Sequence, residues 1–195
     1  DPAVRRVAPK LLASVGRAVN LCEATMAFGK AEEPPPALAR VPIARIVDDV
    51  FESERLAIGE ADVSLSEDVP ASMVIRADPE QLYRVLLNLV RNARQAIVAS
   101  GKGGEIAVRA EEDDRAWIIT VADTGPGLPP KAREHLFQPF SGGTRKEGSG
   151  LGLAIAAELV RGHGGRLNLL RSDDSGTEFQ VRLPKSVVAQ AEAAE

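Results

Sequence analysis

Apolar residues recur with a helical period from Val4 to Phe28. They form three neighbouring rows of a helical wheel, made of Leu11, Ala18 and Thr25, of Leu12, Val19 and Met26, and of Val15 and Cys22. This wide apolar face predicts a long N-terminal helix that has to pack against a second helix. The stretch AEEPPPALARVP follows Lys30, and its prolines predict a stiff, extended linker.

From about residue 40 the apolar positions fall in short alternating runs mixed with helical stretches. Helices are predicted over IARIVDDVFESERLAI, over a segment opened by ADPEQL, with Asp78 as N-cap and Pro79 as first helical residue, and over LGLAIAAELVRGH. Strands are predicted at DVSLS, MVIRA, GEIAVRAEE, AWIITVAD, GRLNLLRS and TEFQVRLP. The third and fourth strands form a predicted hairpin, and the last two pair around DDSG. This mixture is typical of an α/β or α+β domain.

Composition and charge narrow the class of protein. The 195 residues are 44% hydrophobic, which is enough for a core, and the net charge of −4 has no basic stripe, so no nucleic-acid partner is expected. The single cysteine, Cys22, excludes an intrachain disulfide framework and is typical of the cytoplasm. Since the sequence begins DPAVRR, we expect a piece of a longer protein, which could be membrane-anchored.

Two asparagines stand four residues apart on the predicted helix QLYRVLLNLVRNARQAI. Asn88 and Asn92 therefore share one edge of the helix, beside a stripe expected to be buried that contains Leu82, Val85, Leu86, Leu89, Ala93 and Ile97. An amide oxygen is a hard, neutral ligand that suits Mg²⁺. Taken alone, the pair is a weak signal and favours ordinary polar residues at the boundary of the core.

The stretch VADTGPGLP places Asp123 at the end of a predicted strand, before the glycines Gly125 and Gly127. A fixed carboxylate beside backbone without side chains could accept a hydrogen bond from the amine of a flat ligand. The alternative is a tight turn in which Asp123 caps the backbone.

The stretch EGSGLGLAI has three glycines, Gly148, Gly150 and Gly152, before a predicted helix. Backbone N–H groups of such a loop make an anion cradle, to which the helix dipole adds. The loop lacks the Gly-Lys-Ser/Thr of a P-loop and the spacing of a Rossmann fingerprint. The alternative is a flexible joint before a helix.

The order of these motifs is more specific than any one of them. Asn-x-x-x-Asn, Asp-x-Gly-x-Gly, FQPF, Gly-x-Gly-x-Gly and GTEF resemble the N, G1, F, G2 and G3 boxes of the histidine-kinase catalytic domain, across about residues 40 to 184. That domain belongs to the wider family of gyrase, Hsp90, histidine kinases and MutL. The resemblance implies the Bergerat ATP-binding fold: an α/β (α+β) two-layer sandwich whose mixed, mostly antiparallel sheet is covered on one face by helices.

The resemblance also implies roles for residues, with ATP and Mg²⁺ as ligands. Asn92 would coordinate Mg²⁺ bridging the phosphates, and Asn88 would lie near the γ-phosphate. Asp123 would receive the adenine amino group beside Gly125 and Gly127, and Thr177 would help on the same side, directly or through water. Around the phosphates the expected residues are Gly148, Gly150, Leu151 and Gly152.

A mobile lid is implied from Leu128 to about Ser149, with Phe137 and Phe140 as its apolar contacts. Four cations in or near the lid are candidates for neutralising phosphate charge, with a solvated basic surface as the alternative: Lys131, Arg133, Arg145 and Lys146. Gln95 departs from the family, because many kinases have a lysine there.

Asn88 stands where gyrase-like hydrolases have a glutamate that polarises water, and an amide cannot take that proton at neutral pH. Hydrolysis is therefore disfavoured, and phosphoryl transfer, which needs mostly positioning and charge neutralisation, is favoured. The two histidines, His135 and His163, lack the sequence context of a phosphate acceptor and are expected to be structural.

The N-terminal helix, residues 1–30, looks like the second helix of a dimerisation and phosphotransfer hairpin. It would be followed by the linker at 31–40, the ATP-binding domain at 41–184 and a tail at 185–195.

The sequence thus predicts the ATP-binding catalytic part of a bacterial two-component sensor histidine kinase, with the acceptor histidine outside this chain. Expected partners are a histidine phosphotransfer helix, from an upstream segment or a second subunit, and the receiver domain of a response regulator; the full-length protein is expected to be a homodimer. Two alternatives stay open, a non-catalytic degenerate kinase that binds a partner and an anti-sigma-type Ser/Thr kinase of the same superfamily.

Overall fold

The computed structural model describes residues 34–138 and 150–186. The predicted N-terminal helix and most of the predicted tail lie outside these ranges, as do Phe140, Arg145, Lys146 and Gly148 of the predicted lid and glycine loop. The helices of the described part are α1 (Ile43–Ile58), α2 (Pro79–Ser100), α3 (Pro130–Glu134) and α4 (Gly152–Gly162). The strands are β1 (Ala39–Pro42), β2 (Val63–Asp68), β3 (Val74–Ala77), β4 (Gly104–Glu112), β5 (Ala116–Asp123), β6 (Arg166–Asp173) and β7 (Gly176–Pro184).

Five of these strands form one mixed sheet in the order β2-β4-β5-β7-β6. Strand β2 runs parallel to β4, and the other neighbours are antiparallel. The hairpins β4–β5 and β6–β7 are the two that the sequence predicts. The central strand β5 ends at Asp123, so the motif that follows it is held at the edge of a rigid element.

Helices cover one face of this sheet. On β5 the alternate residues Ile119 and Val121 are buried beneath them, as the period of two requires. The predicted stripe of α2, from Leu82 to Ile97, is buried throughout, and α2 packs against both α1 and α4. The predicted two-layer sandwich is confirmed.

Strand β1 was not predicted, because its residues fall in the proline-rich stretch assigned to the linker. It pairs with β3 in a separate two-stranded antiparallel sheet, in which Val41 lies opposite Ile75 and both are buried. Four residues with prolines nearby carry too little pattern to predict a strand, and the pairing with a distant segment decides it.

An ion pair inside the helical layer joins α1 to α2. Glu54 is only 2% exposed, and its carboxylate lies 2.6 Å from Nε of Arg94 and 3.6 Å from Nε of Arg91. Within the residues described, no helix is long and apolar enough to cross a membrane.

Candidate functional site

Two buried polar side chains lie side by side at one end of the sheet. Asp123 is the last residue of β5 and lies directly opposite Thr177 of β7, with exposures of 7% and 3%. Opposed residues of antiparallel strands project from the same face, here the face covered by helices. A carboxylate and a hydroxyl therefore meet at the rim of the core.

The turn after Asp123 is fixed by that residue. The N–H of Gly125 donates to Oδ1 of Asp123 at 2.8 Å, so Asp123 caps the turn as the alternative interpretation of this motif required. An added Cβ at Gly125 would lie 3.4 Å from Cβ of Ala96 on α2. The turn therefore runs along the side of α2.

Gly127 continues this turn towards the β6–β7 hairpin. Its φ is 73°, and a Cβ there would lie 2.4 Å from the backbone oxygen of Asp173. Because both the conformation and the space exclude a side chain, only glycine fits here. The next residue, Leu128, donates its N–H to Oγ of Ser172 at 2.7 Å, which anchors the start of the predicted lid to β6.

The glycine motif before α4 contacts the same edge of α2, nearer to the start of that helix. The helix begins at Gly152, where a Cβ would lie 3.2 Å from Oδ1 of Asn88. Gly150 and the fully buried Leu151 come just before it, and the Leu151 carbonyl accepts the N–H of Ile155. Gly148 and Lys146 lie outside the residues that the structure describes.

Asn88, Asn92 and Ala96 form one row along α2, because each is four residues from the next. Asn88 meets Gly152 at one end of the row and Ala96 meets Gly125 at the other. Asn92 lies between them and is half-buried. At 1.5 Å per residue the row is about 12 Å long, which suits an extended nucleotide between the two glycine motifs.

Of the predicted lid contacts and cations, Phe137 and Arg133 are described with their side chains. Phe137 is half-buried against the core, and Nε of the exposed Arg133 donates to the carbonyl of Leu128 at 3.0 Å. This hydrogen bond turns Arg133 towards the start of the lid. Lys131 lies in the short helix α3. Gln95 is half-buried on α2.

His163 is a structural residue, as the sequence predicts. It is 7% exposed; its Nδ1 lies 2.8 Å from the carbonyl of Leu159, and its Nε2 accepts the N–H of Asp78 at 3.0 Å. The ring is thus neutral, with its proton on Nδ1. His135 is exposed.

Asp78 caps α2, as the sequence predicts, and also binds a residue that precedes β1. Its Oδ1 accepts the N–H groups of Glu80 and Gln81, both at 3.0 Å, and its Oδ2 accepts that of Ala37 at 2.9 Å. Partial burial by itself would raise the pKa of Asp78, but these backbone hydrogen bonds outweigh it and hold the pKa below its ordinary value. The Asp-Pro signal predicted the cap; nothing in the sequence indicated the contacts with Ala37 and His163.

The metal expected at this site would have to be held mainly by neutral oxygens. Within residues 34–138 and 150–186, no group of three or more His, Cys, Asp or Glu residues could hold a metal ion. The donors present, two amides on one helix edge beside a glycine loop, fit Mg²⁺, which keeps several waters and is bound largely through phosphates.

The comparison with known families agrees with this arrangement. Residues 77–187, more than half of the chain, match the family model of histidine kinase-, DNA gyrase B- and HSP90-like ATPases. The chain belongs to this ATPase family. The resemblance drawn from the five boxes is confirmed, and so is the expectation of a domain that uses a nucleotide.

Curated proteins that resemble this chain include bacterial sensor proteins. The C4-dicarboxylate transport sensor protein DctB of Rhizobium meliloti is 44% identical over 106 residues, covering 54% of this chain and 17% of DctB. Sensor histidine kinase ZraS of Salmonella typhimurium is 42% identical over 112 residues, covering 56% of this chain and 23% of ZraS. The chain thus spans about a fifth of the length of these relatives.

Among solved structures of the ATPase family, full-length ShkA in complex with AMPPNP has a TM-score of 0.76 and 28% identity. The similarity covers 97% of this chain and 41% of ShkA. A nucleotide-free catalytic domain of histidine kinase ThkA has a TM-score of 0.66 and 26% identity, and covers 76% of this chain and 95% of that domain. The fold is therefore that of histidine-kinase catalytic domains.

Proposed function

We propose that this chain is the ATP-binding catalytic part of a two-component sensor histidine kinase and holds Mg-ATP for phosphoryl transfer to a histidine outside this sequence. The observation that carries the proposal is the row Asn88, Asn92 and Ala96 on α2. It joins the glycine turn after Asp123 to the glycine end of α4. The relatives named as sensor histidine kinases support the same reaction class.

The adenine end of the site is assigned to the edge of the sheet. Asp123 and Thr177 present buried oxygens there, and the backbone beside them carries no side chain at Gly125 and Gly127. A carboxylate accepts the exocyclic amine of adenine, whereas it repels the carbonyl oxygen that guanine has at that position. The proposed preference for adenine follows from this chemistry.

The phosphate end is assigned to α2 and the start of α4. Asn92 and Asn88 would bind Mg²⁺ and the terminal phosphates, and the glycine motif ending at Gly152 would supply backbone N–H groups. Bound Mg²⁺ would neutralise charge on the phosphates. Because Asn88 cannot accept a proton from water, the residues of this chain would hold ATP intact until a nucleophile is brought to it.

The acceptor is assigned to another segment or subunit. His163 is buried with both ring nitrogens in hydrogen bonds, so it cannot receive a phosphoryl group in this fold. The proposed partners are a phosphotransfer helix carrying the acceptor and, downstream of it, the receiver domain of a response regulator. A homodimer of the full-length protein would bring such a helix to the site.

The experiment is a titration of the purified chain with ATP, with Mg²⁺ and with EDTA, in wild type and Asp123→Asn. The amide keeps an oxygen for Gly125 but presents N–H groups in place of the second oxygen, which would oppose the adenine amine. We expect wild type to bind ATP more tightly with Mg²⁺ than with EDTA, and Asp123→Asn to lose at least about 30-fold in affinity, on the order of 2 kcal/mol.

Asp114→Asn is the matched control, because Asp114 is exposed in the β4–β5 turn at the far end of β5. It should bind ATP as wild type does, and all three proteins should show the same circular dichroism. A wild-type chain without measurable ATP affinity would favour the degenerate module, and an Asp123→Asn protein with full affinity would remove Asp123 from the site.

A further inference from the structure

Helices α2 and α4 run antiparallel, and both ends of α4 contact the first half of α2. At the site end Gly152 lies beside Asn88, and at the other end Nε2 of His163 accepts the N–H of Asp78. Asp78 is the N-cap of α2 and His163 the C-cap of α4. Each helix therefore spans about 15 Å between its two contacts. A shift at the Asp78–His163 end would be carried along two rigid helices to the phosphate end of the site.

The direction of the hydrogen bond between Asp78 and His163 is fixed by the other contact of the ring. Because Nδ1 donates to the carbonyl of Leu159, Nε2 is the acceptor, and the ring joins the last turn of α4 to the first turn of α2. The side chain is 7% exposed, so little water competes for either bond. His163 therefore fixes the distance between the end of α4 and the start of α2.

A short segment without regular secondary structure contacts the same junction. We call residues 34–38 the strap. The carbonyl of Pro34 accepts from Nε2 of Gln81 at 3.1 Å, and the N–H of Ala37 donates to Oδ2 of Asp78. A Cβ at Gly162 would lie 3.9 Å from Cδ of Pro36, so the strap contacts α4 as well.

Asp78 divides its two oxygens between these tasks. Oδ1 caps α2 by accepting the N–H groups of Glu80 and Gln81, while Oδ2 holds the strap. The cap and the strap can therefore be separated by mutation, because serine keeps a capping oxygen and lacks the second one.

We propose that Asp78, His163 and the strap form a positioning junction that sets how closely Asn88 faces the glycine end of α4, and thereby the affinity of the site for the γ-phosphate. This inference rests on the proposed function. The adenine end is formed by β5, β7 and the turn beside Ala96, which lies eight residues along α2 beyond the contact of Asn88 with Gly152. Binding of the base is therefore expected to be independent of the junction.

The test compares the affinities for Mg-ATP and Mg-ADP, because ADP lacks only the γ-phosphate. In His163→Leu both hydrogen bonds of the ring are lost, and we expect the preference for ATP over ADP to fall about 5- to 10-fold while ADP affinity stays within about 2-fold. His163→Gln can donate to Leu159 and accept from Asp78, and should recover the preference. If His163 had only a structural role, His163→Leu would lower the affinities for ATP and ADP by the same factor.

Asp78→Ser tests the strap, with Glu80→Gln as the control in the same helical turn. We expect Asp78→Ser to lower the preference for ATP about 5-fold and Glu80→Gln to leave it unchanged. If His163→Leu does not fold, Asp78→Ser carries the test by itself.

The two proposals fail in different ways. A wild-type chain that binds neither nucleotide overturns the proposed function. A wild-type chain that binds both, with an unchanged preference in His163→Leu and Asp78→Ser, overturns the positioning junction and leaves the proposed function standing. An unchanged preference in Asp78→Ser with a lowered one in His163→Leu removes the strap from the junction.

Discussion

Single atoms decide the fit between α2 and the glycine end of α4. Gly152 is helical, yet a methyl group there would be 3.2 Å from Oδ1 of Asn88, closer than an ordinary contact. The absence of a side chain at Gly152 therefore leaves room for Asn88, whereas the helix backbone does not require a glycine there. A residue with poor helix propensity is tolerated where close approach is needed.

Replacing Gly152 by alanine should separate stability from binding. Alanine is the better helix former by about 1 kcal/mol, so the free energy of unfolding should stay the same or rise by up to that amount. The added methyl group would displace the amide of Asn88, and we expect the affinity for Mg-ATP to fall about 10-fold, or 1.4 kcal/mol. Urea unfolding and nucleotide titration measure the two effects.

Glu158→Ala is the control, because it changes an exposed residue of the same helix. It should leave the affinity for Mg-ATP unchanged. Full affinity in Gly152→Ala would show that Asn88 does not bind at the position proposed for it.

Asp123 has a structural role that is compatible with the ligand role proposed for it. The bond from the N–H of Gly125 makes it the cap of its own turn. This bond also fixes the carboxylate at the rim of the sheet beside Thr177. The structural use of Asp123 therefore supports the ligand role proposed for it.

Among the elements, α2 connects the helical layer with the site. One side of α2 meets α4 through Asn88 and Gly152, and its other side meets α1 through Arg94 and Glu54. Glu54 is 2% exposed, and the side chain of Arg94 is 17% exposed. A buried carboxylate with a close guanidinium holds α1 in a fixed position on α2.

Removing one member of this ion pair should lower the stability of the fold. Glu54→Ala leaves the guanidinium of Arg94 without its carboxylate, and we expect the free energy of unfolding to fall by about 3 kcal/mol. Glu52→Ala, on the exposed side of α1, should change it by less than about 0.5 kcal/mol. Urea unfolding of the three proteins measures both values.

The double variant Glu54→Leu with Arg94→Leu should recover most of the loss, because it removes both charges and fills the space with apolar groups. A cost below about 1 kcal/mol for Glu54→Ala would mean that the pair adds little to the packing of α1 on α2.

In the whole molecule, the site lies where one face of the sheet meets the helices. The end of β5, the middle of α2 and the start of α4 come from three separate parts of the chain. Their packing brings the turn after Asp123 and the glycine start of α4 onto the row Asn88, Asn92 and Ala96. The expected nucleotide would therefore contact both layers of the sandwich. Its γ-phosphate would lie at the α2–α4 end, where an acceptor from another segment has to arrive.

The chain is accordingly expected to bind Mg-ATP without phosphorylating itself. Of its two histidines, His163 is buried in two hydrogen bonds, and His135 lacks the sequence context of an acceptor. Incubation with γ-labelled ATP and Mg²⁺ should leave the purified protein unlabelled, whereas an added histidine phosphotransfer domain from a matching kinase should become labelled.

His135→Ala is the control for this experiment and should behave as wild type. Acid-labile label on the wild-type chain that disappears in His135→Ala would identify His135 as an acceptor and contradict an acceptor outside this sequence.

The sequence by itself determined the parts that depend on local pattern. The period of two in β4 and β5, the apolar stripe of α2 and the Asp-Pro start of that helix each fix a local conformation, and the structure has them where they were predicted. The five ordered motifs determined the family for the same reason, because each is a short run of residues whose types are set by the chemistry of the site.

Only the tertiary structure decided which residues meet. The pairing of β1 with β3, the burial of Glu54 against Arg94 and the junction of Asp78, His163 and the strap all join segments far apart in the chain. No local pattern encodes such contacts, because they depend on how the two layers pack once the apolar faces are buried.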